Sequence, residues 1–138
     1  MKRLVLILVF TLATFALRAQ DNKGVTVKVT IENILSDQGK VIGSLHTSET
    51  FMKGPGIMNT SVDATTGEVT LVFSDVKPGT FALMLMHDEN ENNRMDFESN
   101  GMPKESYATS GEMSYGPPTF ESAKFKVADK DLALRFRF

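Results

Sequence analysis

The sequence predicts an all-β domain built as a two-sheet antiparallel β-sandwich of about seven strands with one long loop. Three observations carry that prediction. Apolar and polar residues alternate with a period of two in successive short segments after residue 24. Turn-forming clusters separate those segments, as at Ser36-Asp37-Gln38-Gly39, Thr65-Thr66-Gly67 and Lys77-Pro78-Gly79. No helical period persists beyond the leading residues. Strands punctuated in this way bury their apolar faces by stacking as two layers, an arrangement of the immunoglobulin or transthyretin kind.

Taken in order, the chain opens with Lys2 and Arg3, an apolar run from Leu4 to Leu17, and a small residue, Ala19, before Gln20. This is the three-part pattern of a secretory signal peptide. The run falls short of the ~20 apolar residues that span a bilayer. Residues 1–19 are therefore expected to be cleaved and residues 20–138 to form a single domain with no transmembrane segment, in the periplasm, secreted or at the cell surface. The chain has no Cys, so disulfides and thiol chemistry are excluded. Cleavage would take Lys2, Arg3 and Arg18 from the 15 basic residues, leaving 12 against 17 acidic ones, a net charge of −5. A mildly acidic domain with no basic cluster is unsuited to nucleic acid.

Val25, Val27, Val29 and Ile31 alternate with Thr26, Lys28, Thr30 and Glu32 as a half-buried first strand. Lys40 to Thr47 reads as a second, with Val41, Gly43 and Leu45 on one face. Gly43 marks a bulge or a close approach of backbone. Residues 48–60 look irregular, and a short strand near Ser61 to Ala64 precedes the turn at Gly67. Glu68 to Ser74 sets Val69, Leu71 and Phe73 inward, and Pro78-Gly79 then predicts a reversal with Gly79 at positive φ. Thr80 to His87 is apolar on both faces, the mark of a central strand whose second face is covered by a loop. Residues 88–118 show no persistent period, and a loop of that length is uncommon unless functional or ligated. Ser122 to Val127 and Leu132 to Phe138 close the chain as strands.

The acidic start of the long loop holds the candidate site. Asp88, Asn90, Asn92 and Asp96 stand at positions 1, 3, 5 and 9 of a calcium-loop pattern, and Arg94 at position 7 would offer its backbone carbonyl. A hard cation takes six to eight oxygens, which alternate residues of a tight loop supply. Two positions depart from the pattern. Asn93 stands where position 6 wants Gly, and Ser99 where position 12 wants a bidentate Glu, a role Glu98 or a neighbour would have to fill. Against a Ca2+ site stands a solvated polar loop in which Asp and Asn bond their own backbone.

The segments "FSDVKPGTFALMLMHDENENNRMD", "GMPKESYATS" and "GPPTFESAKF", in this order, resemble the exported bacterial family known as domain of unknown function 2141. The resemblance implies a prealbumin-like β-sandwich and an envelope location, and brings no established activity. It also implies a His-Asp pair at a strand end followed by an Asn/Gly-rich acidic loop, here His87, Asp88, Asn90, Asn92 and Asp96. This chain has Glu91 and Asn93 where the family usually has Gly.

Other chemistry is thinly represented. His46 and His87 with Met84 and Met86 form a possible soft-metal set, since imidazole and thioether ligands favour copper, although strand Met more often fills core gaps. No Gly-x-Ser-x-Gly, zinc-type His pair or phosphate loop occurs. Residues 101–120 offer either a binding surface with Tyr107, Tyr115 and Phe120 as anchors or a loop packed over the second face of the Thr80 to His87 strand. The sequence thus points to an exported β-sandwich binding or structural module of the bacterial envelope with a Ca2+-ordered loop, its partner an envelope protein, a glycan or a small ligand. The alternative is a periplasmic carrier of a small apolar ligand or soft metal. A hydrolase-type enzyme ranks third.

Overall fold

The computed structural model describes residues 23–112 and 116–138. The expected leader, residues 1–19, lies outside the described residues, as do Met113 and Tyr115. Among the described residues eight strands and one short helix follow in the order β1 (Val25–Ile34), β2 (Lys40–His46), β3 (Met58–Asp63), β4 (Gly67–Val76), β5 (Gly79–Asp88), β6 (Tyr107–Thr109), α1 (Phe120–Ala123), β7 (Phe125–Val127) and β8 (Leu132–Arg137). One sheet has the order β4-β1-β8. The other runs β3-β2-β5-β6, with β7 also paired to β5. The molecule is the two-layer, nearly all-β sandwich that the alternation predicts.

The core lies between the layers. Val27, Val29 and Ile31 of β1 and Leu71 of β4 meet Val41, Leu45 and Leu83 of the second sheet, all fully buried. Burial of this kind contributes about 1.5–3 kcal/mol per large aliphatic side chain. Gly43 sits where the sheets come closest: a Cβ there would lie 2.6 Å from Leu71 Cδ1 and 3.2 Å from Phe73 Cζ. The register of β2 against β5 is unbroken through Gly43, so its role is close approach and not a bulge. Leu132, Leu134, Phe136 and Phe138 close the core from the end of the chain.

Four features differ from the sequence expectation. First, β8 runs parallel to β1, with Val27 opposite Leu132 and Glu32 opposite Arg137. The turn after β7 carries the chain from the second sheet to the first, where the free edge of β1 accepts it in the parallel sense; the other strand pairs are antiparallel. Second, β3 begins at Met58, inside the stretch expected to be irregular. Third, the first two residues of the expected Ser122 to Val127 strand, Ser122 and Ala123, belong to α1, and the strand itself is confined to Phe125–Val127. Thr119 caps it by accepting the Ser122 N–H, while Ser122 Oγ reaches back to Thr119, so local capping outweighs the apparent alternation. Fourth, Gly79 opens β5 without positive φ; Asp75 takes the left-handed conformation instead, at φ 57°.

β6 is a strand within the expected loop. Met84, Leu85 and Met86 pair with Thr109, Ala108 and Tyr107, while Gly79 to Phe81 on the same edge of β5 pair with β7. Ser110 fills the gap between the two short partners. Its N–H donates to the Leu83 carbonyl at 3.1 Å, and its Oγ accepts the Leu83 N–H at 2.7 Å and donates to the Ala123 carbonyl. The buried edge of β5 is therefore satisfied without a continuous neighbour.

Candidate functional site

The end of β5 splits two adjacent side chains to opposite faces, as alternation requires. His87 points into the molecule, 2% exposed, and its Nε2 bonds the Gln38 carbonyl at 2.8 Å, tying down the β1–β2 turn; Nδ1 lies 3.8 Å from Glu89 Oε1. Asp88, next along, is fully buried at the root of the acidic loop. The two residues therefore do not form a catalytic pair, and His87 cannot join His46 in one soft-metal set.

The loop is knit by its own oxygens. Asp88 Oδ1 accepts the Asn92 N–H at 3.1 Å and Oδ2 accepts the Asn93 N–H at 2.7 Å. Asn90 Oδ1 also accepts the Asn92 N–H, and Asn92 Oδ1 accepts the Arg94 N–H at 3.0 Å. The Asn90 and Asn92 amides both donate to Asp96 Oδ2, at 2.7 and 2.8 Å. The structure thus brings Asp88, Asn90, Asn92 and Asp96 into one hydrogen-bonded cluster, which Arg94 joins through its backbone. Asn93 adopts φ 60° and Glu91 φ 57°, so the loop takes left-handed turns at the two positions where Gly was missed. Asn tolerates that region well.

Past Asp96 the chain doubles back in a short hairpin. The Lys104 N–H donates to the Asp96 carbonyl, Phe97 bridges to Pro103, and the Gly101 N–H donates to the Glu98 carbonyl at the far turn. Glu98 is thereby carried to the turn, and Glu105 takes the place beside the loop, its Oε2 accepting the Asp96 N–H at 2.7 Å. Sequence spacing misses Glu105 because only the hairpin brings it back. Lys40 of β2 reaches the loop and pairs with Glu91 at 3.1 Å. Among the described residues no group of three or more His, Cys, Asp or Glu side chains is arranged to hold a metal ion. The loop's own donor set differs in kind, with two carboxylates joined by two side-chain amides.

The second feature is a groove of about 580 Å³ on the outer face of the five-stranded sheet, where Met84 and Met86 are joined by Met52, Met95, His46 and Tyr107. Beside it Phe51 and Ala123 close over Ala82, with Phe120 edge-on to Phe51 at 6.1 Å. The second face of β5 is thus partly covered, with Phe120 as the packing residue, while Tyr107 remains 43% exposed. His46 is 3% exposed and sits edge-on to Phe51 at 5.8 Å. Its Nδ1 has no hydrogen-bond partner. Burial pushes the imidazole pKa below its ordinary value, against an opposing contact with the Thr50 backbone. No helix among the described residues is long and apolar enough to cross a membrane.

A family model described as an uncharacterized protein conserved in bacteria (DUF2141) matches residues 29–135. No curated protein and no solved structure matches the chain.

Proposed function

The chain belongs to the DUF2141 family of bacterial proteins, and from that premise we propose that it is an exported β-sandwich binding module of the bacterial envelope whose Asp88–Asp96 loop is ordered by Ca2+. The observation that carries the reading is the convergence of Asp88, Asn90, Asn92 and Asp96 in one cluster, with Asn93 at φ 60° in the position a calcium loop reserves for Gly. To ligate a cation, Asn90 and Asn92 would rotate about their terminal torsions, exchanging the N–H groups now given to Asp96 for oxygens and giving up the bonds those oxygens accept from the Asn92 and Arg94 N–H groups. Arg94 would add its carbonyl, and Glu105 is the nearby carboxylate that supports Asp96. The backbone turns are already formed, so little ordering entropy opposes binding.

Export is supported by the three-part leader pattern at residues 1–19. An extracellular setting supplies millimolar Ca2+, and an affinity of about 10⁻⁴ to 10⁻³ M matches modules that work there. The ordered loop stands beside the groove, since Asn93 and Met95 also line it, so the cation would fix one wall of the surface that meets a small ligand, glycan or envelope protein. Amide NMR during a Ca2+ titration tests the loop assignment. Saturable shifts concentrated at Asn92, Asn93 and Arg94 are expected, and spectra that stay unchanged through millimolar Ca2+ would overturn it.

A further inference from the structure

We propose that the free edge of β3 pairs with the same edge of a second copy of this chain, antiparallel and centred on Thr60, joining two five-stranded sheets across a two-fold axis. The inference rests neither on the leader nor on the Ca2+ loop, and stands or falls apart from both.

β3 ends its sheet. Its neighbour there is β2, in a register unbroken from Lys40 opposite Asp63 to Leu45 opposite Met58. Among the described residues no strand pairs with the other edge, which presents a row of backbone groups ready for a further strand. The remaining edges of the sandwich are guarded in the ways that discourage such pairing. β4 carries Glu68 and Asp75 and breaks register with β1 at both ends. β8 carries Arg135 and Arg137, and the far edge of β5 is taken by β6 and β7, three residues each. β3 has none of these guards: six residues with no Lys, Arg, Pro or Gly, regularly paired, and one charge, Asp63, at the end.

The side chains point to a second copy as the occupant. A two-fold contact requires a self-complementary patch, and in an antiparallel pair directly opposite residues share a face. Centring on Thr60 sets Thr60 against its own copy, Met58 against Val62 and Asn59 against Ser61. Burial alternates along β3 so that Met58, Thr60 and Val62 are half-buried while Asn59 and Ser61 are exposed. Met58 and Val62 pack against the core with part of their surface still open, and pairing would cover one with the other. On the outer face Asn59 meets Ser61, both polar and uncharged, and within Met58 to Val62 no like charges oppose each other. A slip to Ser61 as the centre would instead face Thr60 with Val62 and Asn59 with Asp63.

The contact also completes the groove. Asn59 lines it and accepts the Ser44 hydroxyl at 2.7 Å, so the partner subunit's Ser61, opposite Asn59, would stand at its rim. Each copy thereby adds a wall to the groove of the other, on one face of a continuous sheet. A six-residue strand is only about 20 Å long, which places the interface at the small, reversible end of the size range.

The test is sedimentation velocity of the purified protein from dilute to near-millimolar concentration, where a shift from monomer to dimer is expected. Asn59→Lys with Ser61→Lys sets like charges directly opposite each other twice across the axis. This variant should melt as the wild type does in dilute solution yet stay monomeric, and so should Asn59→Glu with Ser61→Glu. Mixing the two variants should restore a dimer, because Lys then faces Glu at both pairs. The chain has no Cys, so single introduced thiols report the register. Under mild oxidation Thr60→Cys, opposite its own copy, should cross-link at least about tenfold faster than Ser61→Cys, a diagonal neighbour about 7–8 Å away. A wild type that is monomeric at every concentration, a dimer undiminished in the Lys variant, a mixture that stays monomeric, or Ser61→Cys cross-linking as fast as Thr60→Cys would overturn the proposal.

Discussion

Asp88 Oδ2 accepts the backbone N–H of Asn93 at 2.7 Å, joining a fully buried carboxylate at the end of β5 to a residue in the left-handed conformation five positions later. Oδ1 takes the Asn92 N–H next to it. These two bonds set the shape of the acidic loop. Asp88→Ala would leave both N–H groups without their acceptor and should destabilise the protein by about 2–4 kcal/mol, read from urea midpoints at constant m. Asp88→Asn keeps one acceptor oxygen and should cost less. Equal losses for the two variants would show that the carboxylate does not organise the loop.

Asn93 offers a cleaner test of the backbone itself. Asn93→Ala places a residue with no local polar contact at φ 60° and should cost about 1 kcal/mol, whereas Asn93→Gly should cost nothing measurable in the absence of metal. Paired urea titrations decide between them. A loop that shifted to ordinary φ would tolerate alanine as well as glycine.

Gly43 is predicted to be intolerant of the smallest enlargement. The Leu71 side chain stands 2.6 Å from where its Cβ would be, so Gly43→Ala must push the two sheets apart or rotate Leu71, at about 1–3 kcal/mol. Thermal melts of the variant would register that cost, and an unchanged midpoint would mean the sheets are not in contact there.

Acid should act on Asp75. Its hydrogen bond to Lys77, the Gly24 N–H and the charge of Lys77 hold the carboxyl below its ordinary value. A depressed folded-state pKa contributes stability that is present above the unfolded value near 3.8 and is lost as pH falls through the folded one. The contribution is small, because the group is solvated and screened. The stability difference between wild type and Asp75→Asn should therefore be seen at pH 6 and shrink in strong acid. A difference constant with pH would exclude the charge.

The sandwich was legible because burial in two layers imposes period two, and Val25 to Ile31, Glu68 to Ser74 and Leu132 to Phe138 display it openly. What was hidden has identifiable causes. The parallel seating of β8 depends on which edge is free in three dimensions, which no local pattern encodes. β6 is only three residues long, too short for a period, and its pairing with Met84 to Met86 is a long-range event. The Thr119–Ser122 cap converts an apparently alternating stretch into a helical turn. At the candidate site, spacing alone picked out Asp88, Asn90, Asn92 and Asp96, because the hydrogen-bonded cluster they form lies within nine consecutive residues. Glu105 was invisible, since the hairpin through Phe97 and Pro103 returns it. The sequence grouped His46 with His87, Met84 and Met86, and only the register of β2 against β5 separates them, setting His87 on the opposite face of the strand from Met84 and Met86.

The proposed binding of Ca2+ at the Asp88–Asp96 loop is tested most directly by a thermal melt in EDTA and in about 5 mM CaCl2. Binding with a dissociation constant of about 0.5 mM adds roughly 1.4 kcal/mol by mass action, or about 5 °C for a domain of this size. A rise of that order in the wild type, absent in Asp96→Ala and not reproduced by Mg2+, is the predicted result. Identical melting temperatures in EDTA and CaCl2 would contradict it and leave the loop as a self-bonded polar turn.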